Sequence, residues 1–345
     1  MNTPASNYDN GQDGAPAAPR LARAWALLAL ATLLAVAAAL SLGAATVPPW
    51  QWWGDDAAAE LVRVWRAPRV ATAFAVGGLL ALAGLVFQGV FRNPLAEPYL
   101  LGSASGAAVG AAVALLLPAA VSTVVPATWS LPVLAFAGAW GAGWLVLLAA
   151  RLGGAWQTGR LLLAGVALAA MLSALRSLIL MVWGDESTNL RAIVSWQLGG
   201  VQNATWGEVA ALLAALAALV ALVRALAPGL DALGLGEETA HAMGVRVPRF
   251  SARAVMVASL ATALAVSWGG LIGFVGLIVP HLLRWWLGPL HARLAPACAV
   301  AGGALMVLVD AVARAALAPS EIPAGLLTAL IGGPFFLYLL LRPRP

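Results

Sequence analysis

The stretch that decides the fold is RAPRVATAFAVGGLLALAGLVFQGVFRNPLAEPYLLGSASGAAVG, residues 66–110. Its apolar run over residues 69–91 can cross a bilayer as a helix, which needs about 20 consecutive apolar residues. The polar connection RNPLAEP (92–98), with its two prolines, separates that run from a second one rich in glycine and alanine. Strands of a membrane barrel are only about 10 residues long, so both runs predict transmembrane helices.

The whole chain continues this pattern. Of its 345 residues, 62% are hydrophobic and 10% are charged, which leaves too little polar surface to cover a water-soluble core. We therefore predict an all-α polytopic membrane protein. The apolar runs predict ten membrane-spanning segments, at residues 24–46, 69–91, 103–118, 129–150, 161–183, 207–227, 251–268, 271–287, 295–317 and 323–341.

The N-terminal region divides into a tail and a first span. Residues 1–19 are rich in Asn, Asp, Gly, Pro and Ala without periodicity, which predicts a disordered cytoplasmic tail. Residues 20–345 are predicted to form a single transmembrane domain. Arg20 and Arg23 before an apolar run could also mark a signal peptide, but the run is longer than a signal core of about 7–15 residues. We therefore expect an uncleaved first span.

The arginines predict the orientation. With the N-terminus inside, 13 arginines fall on the inner side and five on the outer side, so the positive-inside rule puts both termini in the cytoplasm. Three of the five outer arginines belong to one short stretch, RVWRAPR (63–69). This stretch opposes the rule that orients the rest of the chain, which suggests a separate use for its charges.

Several classes of site are excluded or disfavoured. All 19 basic residues are arginines, so neither a phosphate-binding loop with its lysine nor a Schiff-base lysine is possible. Cys298 is the single cysteine, and the histidines at 241, 281 and 291 lack clustered carboxylates, so we expect no metal site. The net charge of +5 is better explained by contact with anionic lipid than by binding of nucleic acid.

Five blocks of sequence, in order, resemble the permeases of iron-chelate, haem and vitamin B12 ABC importers, known as type II importers. They are the opening stretch, RLLLAGVAL (160–168), GEETAHAMGV (236–245), GGLIGFVGLIVPHLLR (269–284) and DAVARAALAPSEIPAGLLTALIGGPFFLYLLL (310–341). The resemblance implies a homodimer of ten-helix subunits in a bacterial inner membrane, two cytoplasmic ATP-binding subunits and a periplasmic binding protein. The chain itself would then be no enzyme and bind no cofactor, with ATP and Mg²⁺ held by the ATPase subunits.

The resemblance gives RVWRAPR a role. Arg66 and Arg69, joined by Arg314, would receive acidic side chains of the binding protein, which suits the planar fork of arginine. The alternative is that these arginines reach the lipid headgroups. Arg63 lies outside the matching element and is interpreted as a plain interfacial charge. Asp310, four residues before Arg314, also predicts an ion pair within one helix.

A second polar segment, over about residues 228–250, is predicted to lie in the cytoplasm. GLDALGLGEETAHAMGVRVPR (229–249) reads as two short helices with glycines between and after them. The resemblance implies that it couples the permease to the ATPase, and a solvated loop is the alternative. The residues expected to carry the coupling are Gly236, Glu237, Glu238, Thr239, His241, Met243 and Gly244.

Arg176 lies inside the predicted fifth span, and in the resembled family this helix lines the pathway. A charge at membrane depth is costly unless it faces water or a counter-ion, so Arg176 could meet an anionic cargo. The alternative is that it reaches the outer interface near Asp185 and Glu186. We expect haem as the cargo, then a ferric siderophore, then cobalamin.

Two other functions were considered. A secondary transporter would usually need carboxylates within its spans, and only Asp310 qualifies. An intramembrane enzyme would need a nucleophile with a base, or metal ligands, and the spans offer neither. RNPLAEP is interpreted as a rigid connection with a structural or gating role, and His281 as a helix-end residue near the inner face. Neither is assigned any chemistry.

Overall fold

The computed structural model describes residues 18–152, 158–184, 189–201 and 203–341. The predicted disordered tail thus lies almost wholly outside the described residues. Fourteen α-helices occur in this part of the chain: α1 (Ala18–Ser41), α2 (Ala57–Glu60), α3 (Ala67–Phe91), α4 (Ser103–Leu116), α5 (Pro118–Val121), α6 (Ala127–Leu152), α7 (Thr158–Trp183), α8 (Asn189–Gln197), α9 (Trp206–Gly234), α10 (Glu237–Ala242), α11 (Val247–Gly269), α12 (Val275–Leu287), α13 (His291–Ala315) and α14 (Ala324–Leu341).

The described part of the chain is helical and has no strand. Eight helical segments are long and apolar enough to cross a membrane, and α4 and α12 are shorter apolar helices. Each of the ten predicted spans corresponds to one of these ten segments. The prediction of an all-α polytopic membrane protein is therefore confirmed.

Several helix boundaries differ from the prediction by a few residues, and two of the differences concern the polar segments after α1 and α9. The first span was placed to residue 46, but α1 ends at Ser41. The polar segment predicted over about 228–250 is shorter, because α9 runs through Pro228 to Gly234 and α11 begins at Val247. Burial of Leu230 and Leu233 explains why the helix continues past the proline. The connection holds one separate short helix, α10, and the first of the two predicted short helices is the last part of α9.

The core is built around α3. This helix is apolar on all sides, as expected for a helix with neighbours all around it. Nearly all of its residues from Val70 onward are buried, and it packs against α9, α11, α12 and α13. A Cβ atom on Gly77 would lie 2.1 Å from the carbonyl oxygen of Gly302 on α13, so only glycine permits this helix crossing.

The start of α12 departs from helical structure inside the bundle. With 13 residues α12 is about 20 Å long, shorter than the roughly 30 Å hydrocarbon core, so irregular backbone precedes it. This backbone is hydrogen-bonded to other parts of the protein, as a low-dielectric environment requires. We call residues 198–200, 269–274 and Gly325 the seam; its backbone bonds include Gly200 N to Gly269 O (2.9 Å) and Gly325 N to Gly199 O (3.1 Å).

Side chains from the α3–α4 connection complete the seam. The Tyr99 hydroxyl donates to the carbonyl of Ile272 (2.9 Å) and accepts from its N–H (3.1 Å). The Glu97 carboxylate accepts from the N–H of Phe274 (2.8 Å), the residue that precedes α12. RNPLAEP therefore holds the irregular backbone in place.

Other helices are sparsely covered. In the window of α7 that could span a membrane, 11% of residues are buried, against 89% for the span that contains α3. Leu163 and Met181 on α7 are 73% and 85% exposed. Such an apolar helix needs lipid or another protein chain against it.

Candidate functional site

Five charged side chains meet where the start of α3, the end of α13 and the connection before α14 come together. We call Arg66, Arg69, Asp310, Arg314 and Glu321 the charge cluster. It brings together all three arginines predicted to dock a binding protein. It also contains two acids, and Glu321 had no place in the sequence-based prediction.

Asp310 is the centre of the charge cluster. Its side chain is 1% exposed. Its Oδ2 accepts from Arg314 Nε (2.9 Å), which confirms the ion pair predicted within one helix. Its Oδ1 accepts from Arg69 Nε (3.0 Å) and also lies 3.0 Å from Arg69 Nη2. One buried carboxylate therefore neutralises parts of two guanidinium groups.

Arg69 has a second carboxylate at the far end of its guanidinium. Its Nη1 donates to Glu321 Oε1 (3.0 Å) and its Nη2 to Glu321 Oε2 (2.8 Å), a bidentate pair. The side chain of Arg69 is 15% exposed and that of Glu321 is 51% exposed. Glu321 is thus the accessible end of this ion-pair chain.

Arg66 and Arg314 cap the C-terminus of α1. Arg66 donates to the carbonyls of Leu40 (2.9 Å) and Ser41 (3.0 Å), and also to that of Ala45. Arg314 donates to the carbonyls of Ala39 (2.9 Å) and Leu42 (3.1 Å). The last carbonyls of a helix lack partners within it and carry partial negative charge, so two cations stabilise this end.

The burial of these arginines bears on their predicted role. Arg66 and Arg314 are each 6% exposed, whereas Arg63, interpreted as a plain interfacial charge, is exposed. Two clefts flank the pair of Arg69 and Glu321, of about 420 and 340 Å³, and both residues line each of them. Direct pairing of Arg66 and Arg314 with a binding protein stays a prediction, and it would require the caps of α1 to open.

The α10 segment, residues 236–244, lies apart from the charge cluster. Gly236 (φ +115°) precedes α10 and Gly244 (φ +87°) follows it; both adopt backbone conformations that favour glycine. The side chains predicted to couple to an ATPase are mostly exposed, and Met243 is 62% exposed. Ala240 is buried and holds α10 against the bundle. The exposed face of α10 comprises Glu238, Thr239, His241 and Met243.

Two polar contacts fasten the α10 segment and its surroundings to the core. Glu237 pairs with Arg92, the residue that ends α3, at 3.4 Å, with both side chains nearly half exposed. Asp231 in the last part of α9 accepts from the backbone N–H of His291 (3.0 Å) and contacts its Nδ1 (2.6 Å). Sequence reasoning missed these contacts, since the residues are far apart along the chain.

Arg176 lies on α7 as predicted. Its Nε is buried and has no hydrogen-bond partner in the described part of the chain. Asp185 and Glu186, its alternative partners, lie outside the described residues. Arg176 is thus partly buried on a helix that is otherwise sparsely covered.

Glu97 is the residue whose role the sequence did not reveal. Burial raises the pKa of the Glu97 carboxyl, and the hydrogen bond from the Phe274 N–H opposes this rise. Its function in the fold is to accept that N–H, across 177 positions of sequence. Within the described residues, no group of three or more His, Cys, Asp or Glu side chains could hold a metal ion.

Comparison with known proteins identifies the family of this chain. The model of the FecCD transport family matches residues 30–342. The chain belongs to the FecCD transport family. It is a multi-pass permease of the ABC importer class. This chain is 44% identical over 265 residues to a cobalamin import system permease of Halobacterium salinarum, and the match covers 76% of this chain and 69% of that protein.

A hemin transport system permease of Yersinia pestis is 37% identical to this chain over 268 residues, and the match covers 78% of this chain and 79% of that protein. Among solved structures, an inward-facing conformation of a transporter assigned to the metal-chelate ABC type superposes with a TM-score of 0.80. It is 31% identical, and the match covers 94% of this chain and all of that one.

Proposed function

We propose that two copies of this chain form the pathway of an ATP-driven importer that moves haem from a periplasmic binding protein into the cytoplasm of a bacterium. In this proposal both termini are cytoplasmic, the charge cluster faces the periplasm and the α10 segment contacts the ATPase. The observation that carries the choice of haem is the buried Arg176 Nε, which has no hydrogen-bond partner among the described residues. The hemin permease of Yersinia pestis, among the similar proteins, supports it.

The surface of α7 around Arg176 favours haem as the cargo. Its uncovered apolar surface suits contact with a second copy and with the cargo. Haem carries two propionate carboxylates on an apolar ring, so the ring would lie against Leu172 and Leu180, one turn to either side of Arg176 on the same face of α7, while a propionate pairs with Arg176. Both leucines are partly exposed. A guanidinium and a carboxylate in an apolar surrounding form a strong, charge-assisted pair.

Cobalamin is the second candidate, because the cobalamin permease of Halobacterium salinarum is 44% identical. Its ring carries amide side chains in place of propionates. Cobalamin therefore would gain less from the charge of Arg176 than haem does. This difference separates the two cargoes by experiment.

The α10 segment is proposed to carry ATPase coupling through its exposed face. Two glycines with positive φ flank this short helix, and apart from the buried Ala240 its side chains are mostly exposed. This sequence contains no lysine and therefore no phosphate-binding loop of the kind that ATPases use, which supports ATP hydrolysis by partner subunits.

Uptake into proteoliposomes tests the proposal. The permease would be reconstituted with its ATPase subunits and binding protein, and haem, haem dimethyl ester and cobalamin compared with and without ATP. We expect ATP-dependent haem uptake. Arg176→Gln should lower it about 10- to 100-fold, as loss of a hydrogen bond to a charged group costs about 1.5–3 kcal/mol. The ester should be a poor cargo for the wild type and insensitive to the substitution.

Arg224→Gln is the matched control, since Arg224 is an exposed arginine on α9. Its haem uptake should equal that of the wild type. Uptake of cobalamin but not of haem would show that cobalamin is the cargo. Haem uptake that persists without ATP would refute the proposal of an ATP-driven importer.

A further inference from the structure

The pairing of Arg69 leaves its guanidinium nearly saturated. Of its five N–H groups, Nε and one on Nη2 face Asp310, and one on each of Nη1 and Nη2 face Glu321. A single N–H on Nη1 is left over. An incoming carboxylate therefore cannot form a bidentate pair with Arg69 while both acids hold it.

The two acids differ in how easily they can leave. Asp310 is 1% exposed and also holds Arg314, so its departure would strand two buried cations. Glu321 is 51% exposed and has Arg69 as its ion-pair partner among the described residues. It sits in the connection between α13 and α14, outside both helices. Glu321 is consequently the carboxylate that can be exchanged.

The surroundings offer space for such an exchange. The pair of Arg69 and Glu321 borders both flanking clefts, so a side chain entering either one reaches the guanidinium from the open side. Release of Glu321 would uncover a fork of two N–H groups aimed outward. The geometry of that fork suits an aspartate or glutamate of an approaching protein.

We infer that Glu321 guards Arg69, and that a carboxylate of the binding protein takes its place during docking. This inference rests on the proposed importer function and on the docking role that the family resemblance implies for Arg66, Arg69 and Arg314. In the free permease Glu321 holds Arg69 in a defined orientation and lowers the positive charge seen from outside. Docking is an exchange of one carboxylate for another, so its net strength is modest and its specificity comes from position.

The test is the affinity of the permease for the ligand-free binding protein of its own transport system. The permease with its ATPase subunits would be held in lipid nanodiscs, and binding measured by biolayer interferometry at several salt concentrations. Glu321→Gln should bind about 1.4- to fivefold tighter, the factor that corresponds to an exposed ion pair of about 0.2–1 kcal/mol. Association should also become faster and more salt-dependent.

Three controls make the result specific. Glu60→Gln removes an exposed negative charge from the segment before Arg63, and Glu60 has no ion pair among the described residues. The affinity of this variant for the binding protein should equal that of the wild type. In an Arg69→Gln background, Glu321→Gln should change nothing, because the guarded group is gone. Glu321→Asp, which keeps a carboxylate, should resemble the wild type.

The outcomes separate the two levels of the argument. If the wild type binds and Glu321→Gln binds equally or more weakly, the guard is refuted while docking stands. An equal gain in Glu60→Gln would reduce the effect to overall charge and also refute it. If the folded wild-type complex does not bind at all, docking at the charge cluster fails and the exchange with it.

Discussion

The two ends of α3 carry arginines in opposite circumstances. Arg69, in the first turn, is 15% exposed and held at 2.8–3.0 Å by two carboxylates. Arg92, just past the last turn, is 45% exposed and lies 3.4 Å from one carboxylate, Glu237, which is itself 43% exposed. The same residue type on the same helix therefore belongs to a buried network at one end and to a solvated pair at the other.

The difference teaches which contacts are part of the fold. Two opposite charges in the interior attract each other strongly, so separating them costs much free energy. Water screens the attraction within an exposed pair. We therefore expect the end of α3 at the charge cluster to stay fixed around Asp310. The end at Arg92 can change its contact with α10 at little cost, which suits the coupling to an ATPase that we propose for α10.

Asp310→Asn should have the largest effect, because it leaves Arg69 and Arg314 buried without their shared counter-ion. We expect a loss of about 3–5 kcal/mol in the free energy of unfolding. Cys298 is the single cysteine and is buried, so a thiol-reactive dye reports unfolding in detergent. Asp55→Asn, at an exposed acid, is the control and should be neutral. A neutral Asp310→Asn would show that the charge cluster does not stabilise the fold.

Arg66→Met should have an intermediate effect. Methionine keeps most of the aliphatic length but leaves the carbonyls at the end of α1 without their donors, at a cost of about 1–3 kcal/mol. The same thiol assay measures it, with Arg63→Met as the exposed neighbouring control. Equal losses in the two variants would contradict the capping role, because Arg63 contacts none of these carbonyls.

The pair of Arg92 and Glu237 should contribute least to the free energy of unfolding. A double-mutant cycle of Arg92→Gln and Glu237→Gln should give a coupling energy below about 0.5 kcal/mol, the range of exposed pairs. Thermal unfolding in detergent at low and high salt provides the four values of the cycle. A coupling as large as the effect of Asp310→Asn would remove the contrast between the two ends of α3.

Much of the fold was predictable, because membrane spans depend on length and apolarity alone. Even α4 and α12 were found, although their 14 and 13 helical residues are short for a span. The ion pair of Asp310 and Arg314 was also predictable, since it follows helical spacing. Local rules reached both features because the relevant residues are neighbours in sequence.

The remaining contacts of the charge cluster were not predictable from one sequence. Arg69 and Glu321 are 252 positions apart, and Arg314 caps a carbonyl 275 positions away. No periodicity links such residues, so the burial of Arg66 and the presence of Glu321 depend on how the helices pack. The extent of α9 was misjudged for a similar reason, because Pro228 signals a break that burial of Leu230 overrides.

The seam limits how this permease can move. Its bonds tie residues 199–200 to the last residue of α11 and to Gly325, and Glu97 and Tyr99 tie the segment before α12 to the α3–α4 connection. Bending within this region would leave backbone groups unpaired in an apolar interior. The tied segments must therefore travel as one rigid body, and the hinges of alternating access must lie outside them, in helices with less internal contact such as α7.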